Sequence, residues 1–433
     1  MNMRSIWTEK CKMPSFPSLE GDAKTEVLVV GGGLAGILCA YYLQKAGTDC
    51  ILVEANRICG GTTANTTAKI TAQHGLIYHK LVKKYGTQIA QLYLRANLDA
   101  MREYRQLCGG ISCDLESADS FIYSLSSPAA VQEEMTALEK IGYQAEYRED
   151  LSLPIETKGA VCFPYQLQFH PLRFCGVISS GLPIYEQTKV IAYDGTGYIT
   201  NRGKIRAEKA VIATHFPIFN KHGLFPLKMY QARSYFMAFR DFPIPDGMYV
   251  SAEASGYSFR KYSGVTLLGT TASRTGTNKD GWEPLRKFAA AHAPNAKEIT
   301  RWATQDCITL DGIPYIGQYS PATPNLFVAT GFNKWGMSSS MAAALLLRDL
   351  IAGKDNPYKA LFDPSRSIWH PELVTNLLHS TLNLLKPTRP RCPHLGCALK
   401  WNRQEHSWDC PCHGSRFSED GKLLNNPANE DMT

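Results

Sequence analysis

The chain has 433 residues, 44% of them hydrophobic and 20% charged, with a formal net charge of +7. That balance excludes a disordered or fibrous chain, and no block of like charges points to a nucleic-acid-binding tail. No apolar run is long enough to cross a bilayer, and the first residues lack the apolar centre of a signal peptide, so a cytoplasmic location and no membrane span are expected.

Residues 1–24 are polar, contain prolines and read as an extended arm on the surface. TEVLVV then forms a strand that runs into a glycine cluster. LAGILCAYYLQKAG is a helix, with Leu34, Ile37, Leu38 and Tyr41 on one side and Gly47 as its stop. DCILVE closes a β-α-β unit. Within it Gly31, Gly33 and Gly36 fit G-x-G-x-x-G, followed by Leu34 and Ala35 in the helix start, and Glu54 ends the second strand. The first glycine permits the turn, the second lets backbone approach a pyrophosphate, and the third lets helix and strand pack closely; the acidic residue suits a ribose.

Helical patterns follow at about 85–107 and 127–141, and another begins at Pro171. QTKVIAYD and EKAVIATHF read as strands, and about 230–272 alternates with many aromatics, as in an antiparallel sheet. A helix is expected over about 284–294, then a strand NLFVATGF and a helix MSSSMAAALLLRDLIAG that Gly353 can cap. Residues 354–391 carry several prolines and read as a linker holding one short helix, PELVTNLLHSTLNLL. The predicted fold is an α/β nucleotide-binding domain interrupted by an antiparallel-sheet lobe. Its nucleotide-binding parts are about 25–75, 155–220 and 305–353, and its lobe is about 76–154 and 221–304.

The tail 392–433 concentrates soft ligands: Cys392 and His394, then Cys410 and His413, with Cys397 and Cys412 beside them. Two thiolates and two imidazoles suit a tetrahedral zinc as well as an iron–sulfur centre. The other nine cysteines are scattered and read as buried small hydrophobes.

Two resemblances choose among these options. The run EANRICGGTTANTTAKITAQHG resembles the flavin-contacting loop of the D-amino-acid oxidase/glycine oxidase superfamily, and DGIPYIG with NLFVATGFNKWGMSSSMAAALLLRDLI resembles that superfamily's C-terminal flavin motif. The resemblance implies a glutathione-reductase-type FAD fold. It carries Gly61, Thr62, Thr63, Thr67, Lys69, Val190, Gly331, Gly336 and Met337 into the cofactor site beside the dinucleotide turn. CPHLGC and CPCHGS closely resemble the two loops of a Rieske [2Fe–2S] protein. That implies Cys392 and Cys410 on one iron, His394 and His413 on the other, and, as in electron-transfer Rieske proteins, a Cys397–Cys412 disulfide.

Only KPTRPR separates the preceding helix from Cys392, so the first half of a Rieske domain is missing and the cluster segment should pack on the flavoprotein body. The combination implies a dehydrogenase of a small amine or amino acid. Hydride passes to flavin, and electrons then pass singly through the cluster to an external protein or quinone-like acceptor. Arg260, His74, Tyr235, Tyr257 and Trp335 are the candidates for the substrate side. Two rivals are a redox sensor and an amine oxidase with a zinc-binding tail. The sequence leaves the oligomeric state open.

Overall fold

The computed structural model describes residues 3–432 except 10, 220, 221, 278, 279, 368 and 389. An eight-stranded sheet forms the nucleotide-binding layer, in the order Tyr315–Gln318, Leu326–Thr330, Lys204–Ile212, Ala23–Val30, Cys50–Val53, Ile184–Tyr185, with a short antiparallel pair beside Lys204–Ile212. Its central strands are parallel and buried, so they read as apolar runs: VLVV at Val27 to Val30 pairs with Lys209 to Ile212 and with Cys50 to Val53. Helix Leu34–Lys45 crosses back over this sheet against helix Gly336–Ile351. Gly47 ends the first crossing at φ 83°, its N–H donating to the Gln44 carbonyl at 2.9 Å.

The lobe is a ten-stranded sheet built on Met229–Arg240, which pairs antiparallel with Val265–Thr270 and Lys297–Thr309. It takes more chain than expected. Ala160–Gln168, assigned from sequence to the nucleotide-binding part, pairs with Glu116–Tyr123 in the lobe, and Lys69–Ile70 adds to the same edge. Lys297–Thr309 likewise runs through the expected boundary at 305. These strands belong to the lobe sheet along their whole length, and nothing in their apolar patterning tells which sheet they join.

The N-terminal arm is not a surface element throughout. Trp7 is completely buried and donates its indole N–H to the Thr66 carbonyl at 2.7 Å. In the expected linker, helix Pro371–Leu385 forms as read, and Leu361 and Phe362 are buried just before it. Helix Tyr78–Tyr85, with only Tyr78 and Leu81 buried, was not expected.

The C-terminal tail is a four-stranded antiparallel sheet of three-residue strands, Lys400–Asn402, Ser407–Asp409, Arg416–Ser418 and Leu423–Asn425.

Candidate functional site: a flavin cavity walled by the cluster hairpin

A cavity of about 840 Å³ opens where the parallel strands end. Its walls include Gly31, Gly33, Leu34, Ala35, Glu54, Gly61, Thr62, Thr63, Thr67 and Lys69 from the dinucleotide turn and the loop after it, and Val190 from the side sheet. From the second flavin motif come Gly331, Trp335, Gly336 and Met337. Gly36 lies behind the wall: a Cβ there would stand 1.9 Å from the Gly31 carbonyl oxygen, so helix and turn touch backbone to backbone. A Cβ on Gly31, at φ 110°, would stand 2.6 Å from the Ala213 carbonyl oxygen. Only glycines leave this cradle open. Thr63 accepts from the Leu34 N–H at 3.0 Å and holds the following loop to the helix start, while the Glu54 carboxylate accepts from the Gly32 N–H at 2.7 Å.

The opposite wall is the turn before helix Gly336–Ile351. Asn333 and Lys334 both take positive φ, 51° and 73°. The Asn333 side chain holds this bend: its oxygen accepts from Thr309 N–H at 2.8 Å and its amide donates to the Gly331 and Gly312 carbonyls. The strained turn aims the helix start at the cavity.

Lys334 and Asp306 face this space and were not read from the sequence; Lys69, a carried-over position, faces it with no charge role assigned beforehand. Burial pushes the Lys69 ammonium down to about 7, with Arg260 adding to the effect. Burial also lowers Lys334, and raises Asp306 to about 6 against the opposing pull of Lys334 and Arg233. The strand alternation that brings Thr304 and Asp306 to one face was the available signal for the aspartate.

Of the substrate-side candidates, Trp335 lines the cavity. Arg260 does not. It is buried beneath the Thr67 loop, donating to the Thr67 and Phe169 carbonyls and to Gln168, with its guanidinium over the Trp7 and Tyr262 rings. Those partners use its fork for packing, not for a ligand carboxylate. His74 is buried between Tyr93, Thr71 and Ser338 and stacks on Trp335 at 5.0 Å, from behind the wall. Tyr235 belongs to the lobe core, edge-on to Trp282 and bonded to Asn402. Tyr257 packs on Phe288 at 4.3 Å.

The hairpin pairs the expected histidines with each other and the expected cysteines with each other. His394 and His413 lie ring to ring at 5.1 Å, and both ring nitrogens of His394 and Nδ1 of His413 are buried without a partner among the described residues. Orphaned imidazole nitrogens in a dry site need a ligand, and a [2Fe–2S] centre supplies one. His413 also makes a hydrogen bond with the Pro226 backbone, the kind of outer contact that orients a ligating ring. Cys392 and Cys410 are hydrogen-bonded neighbours. The tightest sulfur group is Cys397, Cys410 and Cys412, within 4.8 Å of one another. All cysteines are free thiols here, so the Cys397–Cys412 bond is not formed.

The hairpin is clamped to the lobe. Gln231 donates to the His413 carbonyl and to the Asn426 carbonyl, each at 2.8 Å, and Gln305 donates to the Gly414 carbonyl at 2.7 Å. Arg274 donates to the Pro411 and Cys412 carbonyls at 2.9 and 3.0 Å. A buried network joins Arg233 to Glu405, Glu405 to Arg416, and Arg416 to Asp409. Burial alone would raise Glu405, but the two arginines outweigh it and hold the carboxyl down at about 2. The tail of the hairpin, from Leu423 to Asp431, lines the flavin cavity itself. Asn426 donates to the Thr214 and Phe216 carbonyls at 2.6 and 2.7 Å, and the Phe216 ring stands 6.4 Å from that of His394.

The family model for FAD dependent oxidoreductases matches residues 26–350. The chain belongs to that family. A second model, for the Rieske [2Fe-2S] domain, matches residues 377–433, beginning inside helix Pro371–Leu385. FAD and a [2Fe–2S] cluster are therefore its cofactors. Among relatives, a Bacillus subtilis (strain 168) protein named as a Rieske 2Fe-2S iron-sulfur protein, YhfW, is 33% identical over 488 aligned residues, covering 98% of this chain and 96% of that one. The cytochrome b6-f complex iron-sulfur subunit of Nostoc punctiforme is 51% identical over 37 residues, 8% of this chain and 21% of its own. Among solved structures, glycine oxidase from Geobacillus kaustophilus covers 80% of this chain and all of its own at TM-score 0.67 and 21% identity. L-Proline dehydrogenase from P. horikoshii covers 80% and 98% at TM-score 0.66 and 17% identity. At such identities these two likenesses show the fold.

Proposed function

We propose that this FAD-dependent oxidoreductase is a dehydrogenase of a small amine or amino acid, and that its electrons leave through the Rieske cluster to an external acceptor. The observation that carries the reading is the shared wall: hairpin residues Leu423 to Asp431 line the same cavity as the dinucleotide turn, and Phe216 links that wall to His394. Bound FAD supplies the two-electron acceptor for C–N oxidation, and the cluster a one-electron relay of raised potential.

The chain's own residues prepare the substrate. Lys69 and Lys334 place two buried ammonium groups where an amino acid's carboxylate can be paired, with Asp306 as the opposing charge for an amine. A charge desolvated in this way is strongly attracted by an opposite one, so a carboxylate-bearing amine gains more from the site than a neutral one. The loop Thr62–Thr63 and the hairpin tail line the cavity. The named activities of the structural neighbours, oxidases and dehydrogenases of amino acids, support the substrate class.

The test is anaerobic titration of the holoprotein with a panel of amines and amino acids, following flavin and cluster absorbance together. Flavin bleaching followed by cluster bleaching is expected for at least one member. Flavin bleaching with a cluster that stays oxidised breaks the relay, and no bleaching by any member removes the substrate class.

A further inference from the structure

Helix Pro371–Leu385 turns Leu373, Asn376 and Asn383 to the protein, while its other leucines face away. Asn376 is buried, donates to the Leu227 carbonyl at 3.0 Å and accepts from Arg274. Asn383 is buried beside Ala398, whose N–H donates to the Asn383 carbonyl at 3.0 Å. On the other side Val374, Leu377, Leu378, Leu382 and Leu385 are 61%, 42%, 58%, 60% and 76% exposed. The spacing of three and four residues sets them in one continuous stripe along the helix. Trp369, 83% exposed, stands at one end of the helix and the exposed Lys386 at the other. A stripe of this kind on a chain of ordinary composition marks a face that meets an apolar surface.

We infer that this leucine stripe seats the protein on an anionic lipid surface. Three observations choose that occupant over a second copy of the chain. The stripe with Trp369 offers six large side chains, whereas a stable protein interface takes roughly 20–30 residues a side. The polar face that an interfacial helix turns to water is here already satisfied by the protein, which leaves the apolar face free to enter the headgroup boundary. The net charge of +7, with Lys386 and Arg391 exposed at the helix end, is complementary to anionic headgroups. No helix among the described residues is long and apolar enough to cross a membrane, so the contact is one of lying on the surface.

The seat is coupled to the cluster loop. Arg391 donates to the Leu384 carbonyl at 3.1 Å and the Gly396 carbonyl at 2.6 Å, and also bonds the Lys386 carbonyl. One guanidinium thus closes the helix end and grips the loop that carries His394 and the 48% exposed Leu395. A bilayer under the stripe brings that loop to the lipid boundary, where a membrane-borne electron acceptor is met.

Flotation of the holoprotein with vesicles of phosphatidylcholine alone, or of phosphatidylcholine with phosphatidylglycerol, tests this directly. Wild-type protein should float with the anionic vesicles, and Leu378→Gln with Leu382→Gln should lower partitioning on the order of 100-fold, about tenfold for each lost leucine seat. Flavin and iron content report that the variant is folded, and Leu382→Gln alone gives the intermediate case. Wild-type protein that stays in solution with both vesicle types overturns the inference, as does anionic-vesicle binding unchanged in the double variant. A lipid-free dimer in sedimentation, dissolved by the same two substitutions, overturns it in favour of a second copy.

Discussion

The flavin cavity and the cluster hairpin both keep a redox group out of water, but they do so with opposite resources. The cavity stands on buried parallel strands and two long helices that share the largest core of the protein. The hairpin has strands of three residues and a core of Cys392, Cys397, Leu399, Cys410, Cys412, Phe417 and Ala428, in which the cysteines of the cluster loops are the majority. A segment of this size is too small to be stable by burial alone. It borrows rigidity from Gln231, Arg233, Arg274 and Gln305 of the lobe. The difference teaches that the hairpin depends on the body and on its metal, whereas the strands and helices under the cavity have a core of their own.

The hardest test of that asymmetry is Cys410→Ser. Loss of a ligand from a site with so small a core should take iron and sulfide to background while FAD stays bound. Reduction of a one-electron acceptor should then fall by at least about 100-fold, while dyes that draw electrons from the flavin still turn over. Parallel loss of FAD would show the two regions to be one cooperative unit.

Next comes the clamp. Glu405→Ala leaves Arg233 and Arg416 buried without their shared carboxylate, at a cost of about 3–5 kcal/mol. The hairpin should carry most of that cost. Iron content should drop and the hairpin amides should exchange faster, with the flavin spectrum unchanged. A loss spread evenly over lobe and hairpin in hydrogen exchange would count against a borrowed fold.

The same asymmetry decides what could be read in the sequence. The dinucleotide turn was legible because its glycines answer to close backbone contacts at fixed spacing, and every carried-over flavin position except Gly36 lies on the cavity wall. Arg260 misled because an arginine on a lobe strand carries no mark of which way it points; here Trp7, from an arm read as surface, covers it. Lys334 and Asp306 come into one space only through the bend at Asn333 and the register of Lys297–Thr309 against Met229–Arg240. Asn426 was invisible for a similar reason: its partners Thr214 and Phe216 are more than two hundred residues away.

In the cavity the expected effect is smaller and depends on pH. Lys69, lowered to about 7 by burial, is charged below that pH and neutral above it. For a carboxylate-bearing substrate, kcat/KM should therefore fall toward tenfold per pH unit above about 7, and Lys69→Met should flatten that limb. Iron content should not change. A limb that persists in the variant passes the role to Lys334.

The smallest change addresses a place where the two regions share a wall and a ring contact. Asn426→Ala removes two hydrogen bonds to the segment that carries Phe216, about 1 kcal/mol each. The amide donates to two backbone carbonyls and Asn426 is no cluster ligand, so FAD and iron contents should hold. What changes is the freedom of Phe216 beside His394, and with it the spacing between cavity and cluster. Cluster bleaching after rapid flavin reduction should slow a few-fold, with flavin bleaching unaltered. If both rates match wild type, the wall at Thr214 to Phe216 is only structural, and electrons leave the cavity by another face of the hairpin. If both slow together, Asn426 acts on the substrate side, and the hairpin tail belongs to the cavity more than to the cluster.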